Sequence, residues 1–276
     1  MKKWLVLVLC LGMSGCAGKL AYNNADFLIN WYLSEYIEFT DKQKPLVKDT
    51  IAAWLAWHRS HEMPKYRDQL QRLKRDINNN TINRNTLTQH TQEFEGHWQR
   101  LREHVVQDVV TVAMTLDISQ MSRMFVTMAN EREENYQDFK KRTRKRPKLA
   151  DRIVERMEET LGYVTPEQTV IVEQYAPQLQ PTYAKWMAHS ENMQSQVRRV
   201  LISKDFIDDA PAQLSTLILE SDSFRPADYQ RAREVNQQLY IAMFSDIFPT
   251  LETRQKQRLL DEIDEYAQLL EDIIEG

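Results

Sequence analysis

Cysteine is almost missing from this chain. Of 276 residues only Cys10 and Cys16 carry a thiol, and both lie at the N-terminus. A disulfide framework is thereby excluded for the remainder, which packing must hold together. Glycine is scarce, at six residues, and there is neither a glycine-rich phosphate loop nor a Gly-x-Ser-x-Gly sequence. That removes the common nucleotide and nucleophile arrangements. After residue 13 no apolar run approaches the roughly 18 residues of a membrane-spanning helix. Alternating apolar and polar runs longer than four residues are missing too, so strands have no support. From these absences the expectation is a non-enzyme with no catalytic residues, no cofactor and no metal.

What is abundant is Leu, Gln, Glu, Arg and Met, a helix-forming composition. Apolar residues recur at helical spacing almost throughout. Asp26 is placed to cap a first helix carrying Phe27, Leu28, Trp31, Tyr32 and Tyr36. A second carries Val47, Ile51, Trp54 and Leu55 and is expected to end near Met63-Pro64. The longest stripe runs through Phe94, Trp98, Leu101, Val105, Val109 and Val112. The last one holds Leu259, Ile263, Tyr266, Leu270 and Ile273. The predicted fold is all-α, a multi-helix bundle.

Several helix starts share one chemistry. Thr40-Asp41-Lys42-Gln43, Asp117-Ile118-Ser119-Gln120 and Thr165-Pro166-Glu167-Gln168 each set a capping oxygen three residues before a glutamine. This capping box satisfies backbone N–H groups that the first helical turn leaves without partners. Thr250 with Arg254-Gln255 reads as a looser fourth copy. Thr40 and Thr165 are 125 residues apart, Trp57 and Trp186 129, and Asp117 and Thr250 133. Trp98-Gln99-Arg100-Leu101-Arg102-Glu103 matches Tyr229-Gln230-Arg231-Ala232-Arg233-Glu234 at an offset of 131. Landmarks in one order hint at two tandem helical repeats, 26–147 and 148–276. Chance similarity between amphipathic helices is the competing explanation.

Candidate chemistry is sparse. His58 and His61 are three apart on one helix, a spacing that can serve zinc, but they lack a third ligand and are expected to pack beside Trp54 and Trp57. His90, Glu93 and His97 share a helix face without the Glu-x-x-His pair of a di-iron bundle. The run Lys140, Lys141, Arg142, Thr143, Arg144, Lys145, Arg146 puts six cations in seven residues. It suits an anionic surface or acidic partner, or else the negative pole of a helix end. Trp31, Tyr32, Tyr36, Trp54 and Trp57 have the spacing of a buried face, with a partner groove as the alternative.

The N-terminus carries an address. Lys2 and Lys3 precede an apolar run from Trp4 to Met13 and the small residues Ser14 and Gly15, the pattern of a secretory signal over 1–15. Met13-Ser14-Gly15-Cys16 resembles a lipobox, the bacterial lipoprotein processing sequence, with Met where Leu is usual. That resemblance implies acylation of Cys16 and attachment to a membrane through the N-terminal lipid. Ala17 after the cysteine, where Asp would favour inner-membrane retention, implies the periplasmic face of the outer membrane. Residues 16–25 then form a short tether, which spans about 35 Å if extended. Residues 26–276 form the helical periplasmic domain. Without Lys2 and Lys3 the chain has 34 basic and 40 acidic residues, a net charge of −6. Nucleic acid is therefore not an expected partner.

Two resemblances go further. Ala21-Tyr22-Asn23-Asn24-Ala25-Asp26, followed by Trp31-Tyr32-Leu33 and Trp54-Leu55-Ala56-Trp57-His58-Arg59, is similar to a family of uncharacterised proteobacterial lipoproteins. The resemblance implies topology and address but no activity. Phe39-Thr40-Asp41-Lys42-Gln43, Leu116-Asp117-Ile118-Ser119-Gln120 and Val164-Thr165-Pro166-Glu167-Gln168 more distantly resemble the Leu-Thr-x-x-Gln sequences of Spy and CpxP, helical chaperone-like periplasmic proteins. The expected function is non-enzymatic binding of an envelope protein or anionic lipid, with a Spy-like chaperone or stress protein as the first alternative and an enzyme without a recognisable motif as the second.

Overall fold

Helix boundaries follow local chemistry. The computed structural model describes residues 15–143 and 147–276, and all regular structure among them is helical. In chain order the α-helices are α1 (Gly15–Asn23), α2 (Ala25–Tyr36), α3 (Gln43–Trp57), α4 (Met63–Asn78), α5 (Arg84–Met114) and α6 (Ile118–Thr143). Then come α7 (Leu149–Leu161), α8 (Pro166–Tyr175), α9 (Tyr183–Ile202), α10 (Ala210–Leu219), α11 (Ala227–Ile247) and α12 (Thr253–Glu275).

Three local expectations change. Asp26 lies inside the first turn of α2 and is not its cap, because the chain is already helical before it. The 16–25 segment is helical up to Asn23 instead of extended, so α1 covers only about 14 Å. Pro64 does not end a helix: His58–Glu62 form a π-turn between α3 and α4. A widened turn just before proline gives its ring room against the preceding carbonyls, and the helix continues. Glu62, fully buried at this turn, accepts from Arg100 Nε at 3.0 Å and Nη2 at 3.1 Å.

The described residues divide into two compact units, each drawing on both halves of the sequence. Unit one comprises 15–62, 98–143 and 183–226; unit two comprises 63–97, 147–182 and 227–276. The tandem halves 26–147 and 148–276 are therefore not the compact bodies. Helices that start at one half's capping boxes run on, and their far ends pack with helices of the other half. So α9 packs on α6, and α4 packs on α12.

In unit one, Tyr36, Val106, Val110, Met121, Val200, Leu201 and Leu214 form one buried cluster. α2 and α6 run antiparallel, since Glu38 meets Gln120 and Arg123 while Tyr36 meets Glu131 further along α6. The C-terminal carbonyls of α5 are capped by Lys204 Nζ, 2.6 Å from Met114 O and 2.5 Å from Leu116 O. In unit two, Met157, Leu161, Val172, Met243 and Ile247 form one cluster and Ile77, Ile82, Leu260 and Ile263 another. Lys74–Asp264 at 2.6 Å and Arg67–Glu271 at 2.7 Å set α4 antiparallel to α12. α7 ends at Gly162 with φ +88°, a backbone that favours glycine. Arg258 covers the helix end, donating to Thr160 O and Glu159 O.

Candidate functional site

The framework around the candidate site is a pair of glutamines that sequence reading treated only as caps. In unit one the backbone N–H of Thr40 donates to Gln43 Oε1 at 2.9 Å, and that of Asp117 to Gln120 Oε1 at 3.0 Å. The two amides then bond each other, Gln43 Nε2 to Gln120 Oε1 at 3.1 Å and Gln120 Nε2 to Gln43 Oε1 at 2.8 Å. Each spare N–H meets a backbone carbonyl, Thr115 O for Gln43 and Glu38 O for Gln120. Unit two repeats this. Gln168 and Gln255 exchange two 2.9 Å bonds, accept from Thr165 N and Glu252 N, and donate to Thr250 O and Tyr163 O. All four glutamines are buried. With both lone pairs and both N–H groups used, the burial leaves nothing unsatisfied. The fourth cap is Glu252 and not Thr250, whose hydroxyl turns back to Ile247 O.

On one flank of the unit-one pair, α2, α6 and α9 leave a groove of about 330 Å³. Its apolar walls include Tyr32, Leu33, Met124, Met128, Trp186 and Met187. Tyr32 is 43 % exposed and Trp186 41 %. The rings are held in place. The Tyr32 and Tyr36 hydroxyls are 2.9 Å apart, and Tyr36 donates to the Glu131 carboxylate at 2.5 Å. Burial, then the bond to Glu131, pushes the Tyr36 phenol far above its ordinary pKa, so it stays a neutral donor. Tyr183 stacks on Phe139 at 3.8 Å and leans against Trp186 at 5.7 Å. Arg132 bonds Gln194 and lies 3.6 Å from Glu191, giving one wall a polar edge.

Unit two holds a larger hollow of about 570 Å³ between α7 and α11. It is the weaker candidate. Core residues under a tenth exposed floor both hollows, Met157, Leu161 and Ile247 here and Tyr36, Ile37 and Met124 in unit one, and among the rings of this hollow only Tyr240 is exposed, at 37 %. The groove of unit one has two rings more than two-fifths exposed, Tyr32 and Trp186, beside Met128 and Met187. Methionine walls adapt to differently shaped apolar ligands.

The sequence-predicted residues are dispersed over several local settings. His61 stacks near Trp57 as expected, with His104 on that indole at 3.7 Å, whereas His58 meets Tyr22 instead, its Nδ1 3.1 Å from the hydroxyl. His90 pairs with Asp76 at 2.9 Å, Glu93 with Arg72, and His97 with Gln69 at 2.8 Å. Among the described residues no three His, Cys, Asp or Glu side chains are gathered to hold a metal. The aromatic set is buried only in part: Tyr36 is buried and Trp54 and Trp57 half-buried, whereas Trp31 is 47 % exposed and Tyr32 is exposed as well. Lys140 and Lys141 are exposed on the last turn of α6, the Lys140 ammonium 4.1 Å from the Tyr136 ring centre. Arg144, Lys145 and Arg146 lie outside the described residues, as do residues 1–14 and the side chains of Cys16 and Arg142. No described helix is long and apolar enough to cross a membrane.

Of Met124, Met128, Trp186 and Met187, the methionines belong to the general helical periodicity and Trp186 stood out only as a counterpart of Trp57; nothing local marked the four as a shared wall. The glutamine pairs carried a usable signal, because Gln at the third helical position brings an N–H₂ donor that Glu lacks. No curated protein and no solved structure matches the chain. Residues 35–230, which include three of the four boxes and the groove apart from Tyr32 and Leu33, match a family of unknown function, DUF6279, and the chain belongs to that family.

Proposed function

We propose that this protein is a lipid-anchored envelope protein, acylated at Cys16 on the periplasmic side of the outer membrane, that binds apolar segments of other polypeptides without catalysis. The observation that supports it best is the methionine and aromatic groove of unit one, with Tyr32 and Trp186 left exposed at its walls. Exposed rings beside flexible thioethers lose water on contact with a ligand and adjust to its shape. The anchor rests on the Met13-Ser14-Gly15-Cys16 sequence.

A second reading is a Spy-like chaperone or envelope-stress protein. It is favoured by the glutamine boxes, which come two to a unit and bond in pairs. An aggregation assay with a reduced, unfolding client separates the two. A chaperone slows aggregation of several unrelated clients at near-stoichiometric amounts. A dedicated binder leaves them unaffected yet yields one crosslinked partner from envelope extracts. In either case Met128→Glu with Met187→Glu is expected to lower binding at least roughly tenfold, since a buried charge without a partner is strongly disfavoured. Unchanged binding with unchanged helicity would rule the groove out.

A further inference from the structure

α1 and α2 behave as one rod. Asn24 N donates to Leu20 O at 3.2 Å and Leu28 N to Asn24 O at 3.1 Å, so the helical ladder passes through the irregular Asn24. One side of the rod is docked on unit one: the Tyr22 hydroxyl donates to Leu55 O at 3.2 Å, and Tyr36 is buried. The opposite side reads Leu20, Asn24, Phe27, Trp31 and Ser34, at helical spacing and all exposed, with Asn23 at its edge accepting from Arg59 Nη2 at 2.9 Å. Leu20 is 66 % and Phe27 67 % exposed.

That outward face is chemically unusual. A helix facing water normally turns charge outward. Here the stripe has no charge, and Lys19 and Asp26 lie to its sides. A leucine and two aromatic rings among neutral amides are the composition of a helix lying in the headgroup region of a bilayer. Position agrees. The stripe begins four residues after Cys16, and at 1.5 Å per residue Trp31 is about 22 Å along the rod from it. Because α2 and α6 are antiparallel, the exposed Lys140 and Lys141 lie toward the end of α2 from which the chain leads back to Cys16.

We propose that the α1–α2 rod lies flat on the phospholipid surface, with Leu20, Phe27 and Trp31 seated at the headgroup–acyl boundary and Lys140 and Lys141 facing lipid phosphates. It rests on the lipid-anchored reading and deepens it: the anchor fixes where the chain meets the bilayer, and the rod fixes how the domain lies on it.

The test uses the mature chain with Cys16→Ser, which has no acyl group, and vesicles of phosphatidylethanolamine and phosphatidylglycerol. Expected are co-flotation with vesicles at low salt and quenching of tryptophan emission by brominated lipids. Leu20→Ser, Phe27→Ser and Trp31→Ser combined are expected to weaken vesicle affinity at least roughly tenfold, in line with the loss of buried apolar area. Lys140→Gln with Lys141→Gln is expected to weaken it a few fold, and less at high salt. Should the triple variant misfold, Trp31→Phe decides, because it must remove most of the brominated-lipid quenching. Vesicle affinity unchanged by the triple variant, or no vesicle binding at all, overturns the proposal. So does a concentration-dependent dimer that the triple variant abolishes, which assigns the face to a second copy. Acylation is read separately, from the mass of the wild-type N-terminal peptide. An unacylated Cys16 overturns the anchor while vesicle binding still reports on the rod.

Discussion

The two units are built around the same glutamine pair yet treat equivalent positions differently. Tyr32 and Met157 each stand eight residues before the threonine of their box, Thr40 and Thr165. Met157 is 5 % exposed and belongs to the core of unit two, whereas Tyr32 is 43 % exposed and lines the groove of unit one. Tyr36 and Leu161, four residues later, are both buried, but Tyr36 keeps a hydroxyl bonded to Glu131. One arrangement thus places a buried methionine at the floor of the unit-two hollow and an exposed ring on the wall of the unit-one groove. The glutamine pair sets the helix starts; the residues a turn or two before it decide how far the face is exposed.

The strongest way to break this comparison is to remove what the units share. Gln255→Glu replaces an N–H₂ with an oxygen facing Gln168 Oε1 and Tyr163 O. Gln43→Glu does the same toward Gln120 Oε1 and Thr115 O. With about 1–3 kcal/mol for each buried group left unpaired, each change should cost about 4 kcal/mol. Urea unfolding followed by circular dichroism measures it. A loss below about 1 kcal/mol in either unit would deny the pair its structural role.

A smaller effect sharpens the contrast. Met157→Ala should cost about 3 kcal/mol by leaving a cavity, while Tyr32→Ala should cost under about 1 kcal/mol, as expected of an exposed side chain. Tyr32→Ala should instead weaken polypeptide binding, and Met157→Ala should not. The reverse pattern, Tyr32 supporting stability and Met157 binding, would move the site to unit two.

The smallest effect is confined to unit one. Burial holds the His58 imidazole below its ordinary pKa, partly opposed by the Glu62 carboxylate. The unfolded chain therefore takes up a proton more readily than the folded one. Stability contributed by neutral His58 is complete above the unfolded histidine value, about 6.5, and declines as pH falls below it. Melting at pH 7.5 and 5.5 should show a drop that His58→Gln reduces. An equal drop in the variant would exclude His58 as its source.

Three of the four boxes could be read directly, because a cap needs only an oxygen and a glutamine three residues apart. The fourth was misplaced by two residues, as Glu252 is an uncommon capping residue beside an available threonine. Trp31 and Tyr32 defeated the periodic reading for another reason. Helical spacing says that residues share a face, but it does not say whether that face meets a core, a ligand or a bilayer.

The sequence alone determined that the chain is helical, free of disulfides beyond its N-terminus, and started at several points by glutamine boxes. Those properties are local: periodicity and capping act across three or four residues. Only the tertiary structure decided that Gln43 pairs with Gln120 across 77 residues and Gln168 with Gln255 across 87. It also decided that the compact units interleave the two halves, and that Tyr32 is exposed where Met157 is buried. Each of these depends on which distant helix arrives as neighbour, which is set by the shapes of whole helix faces fitting together.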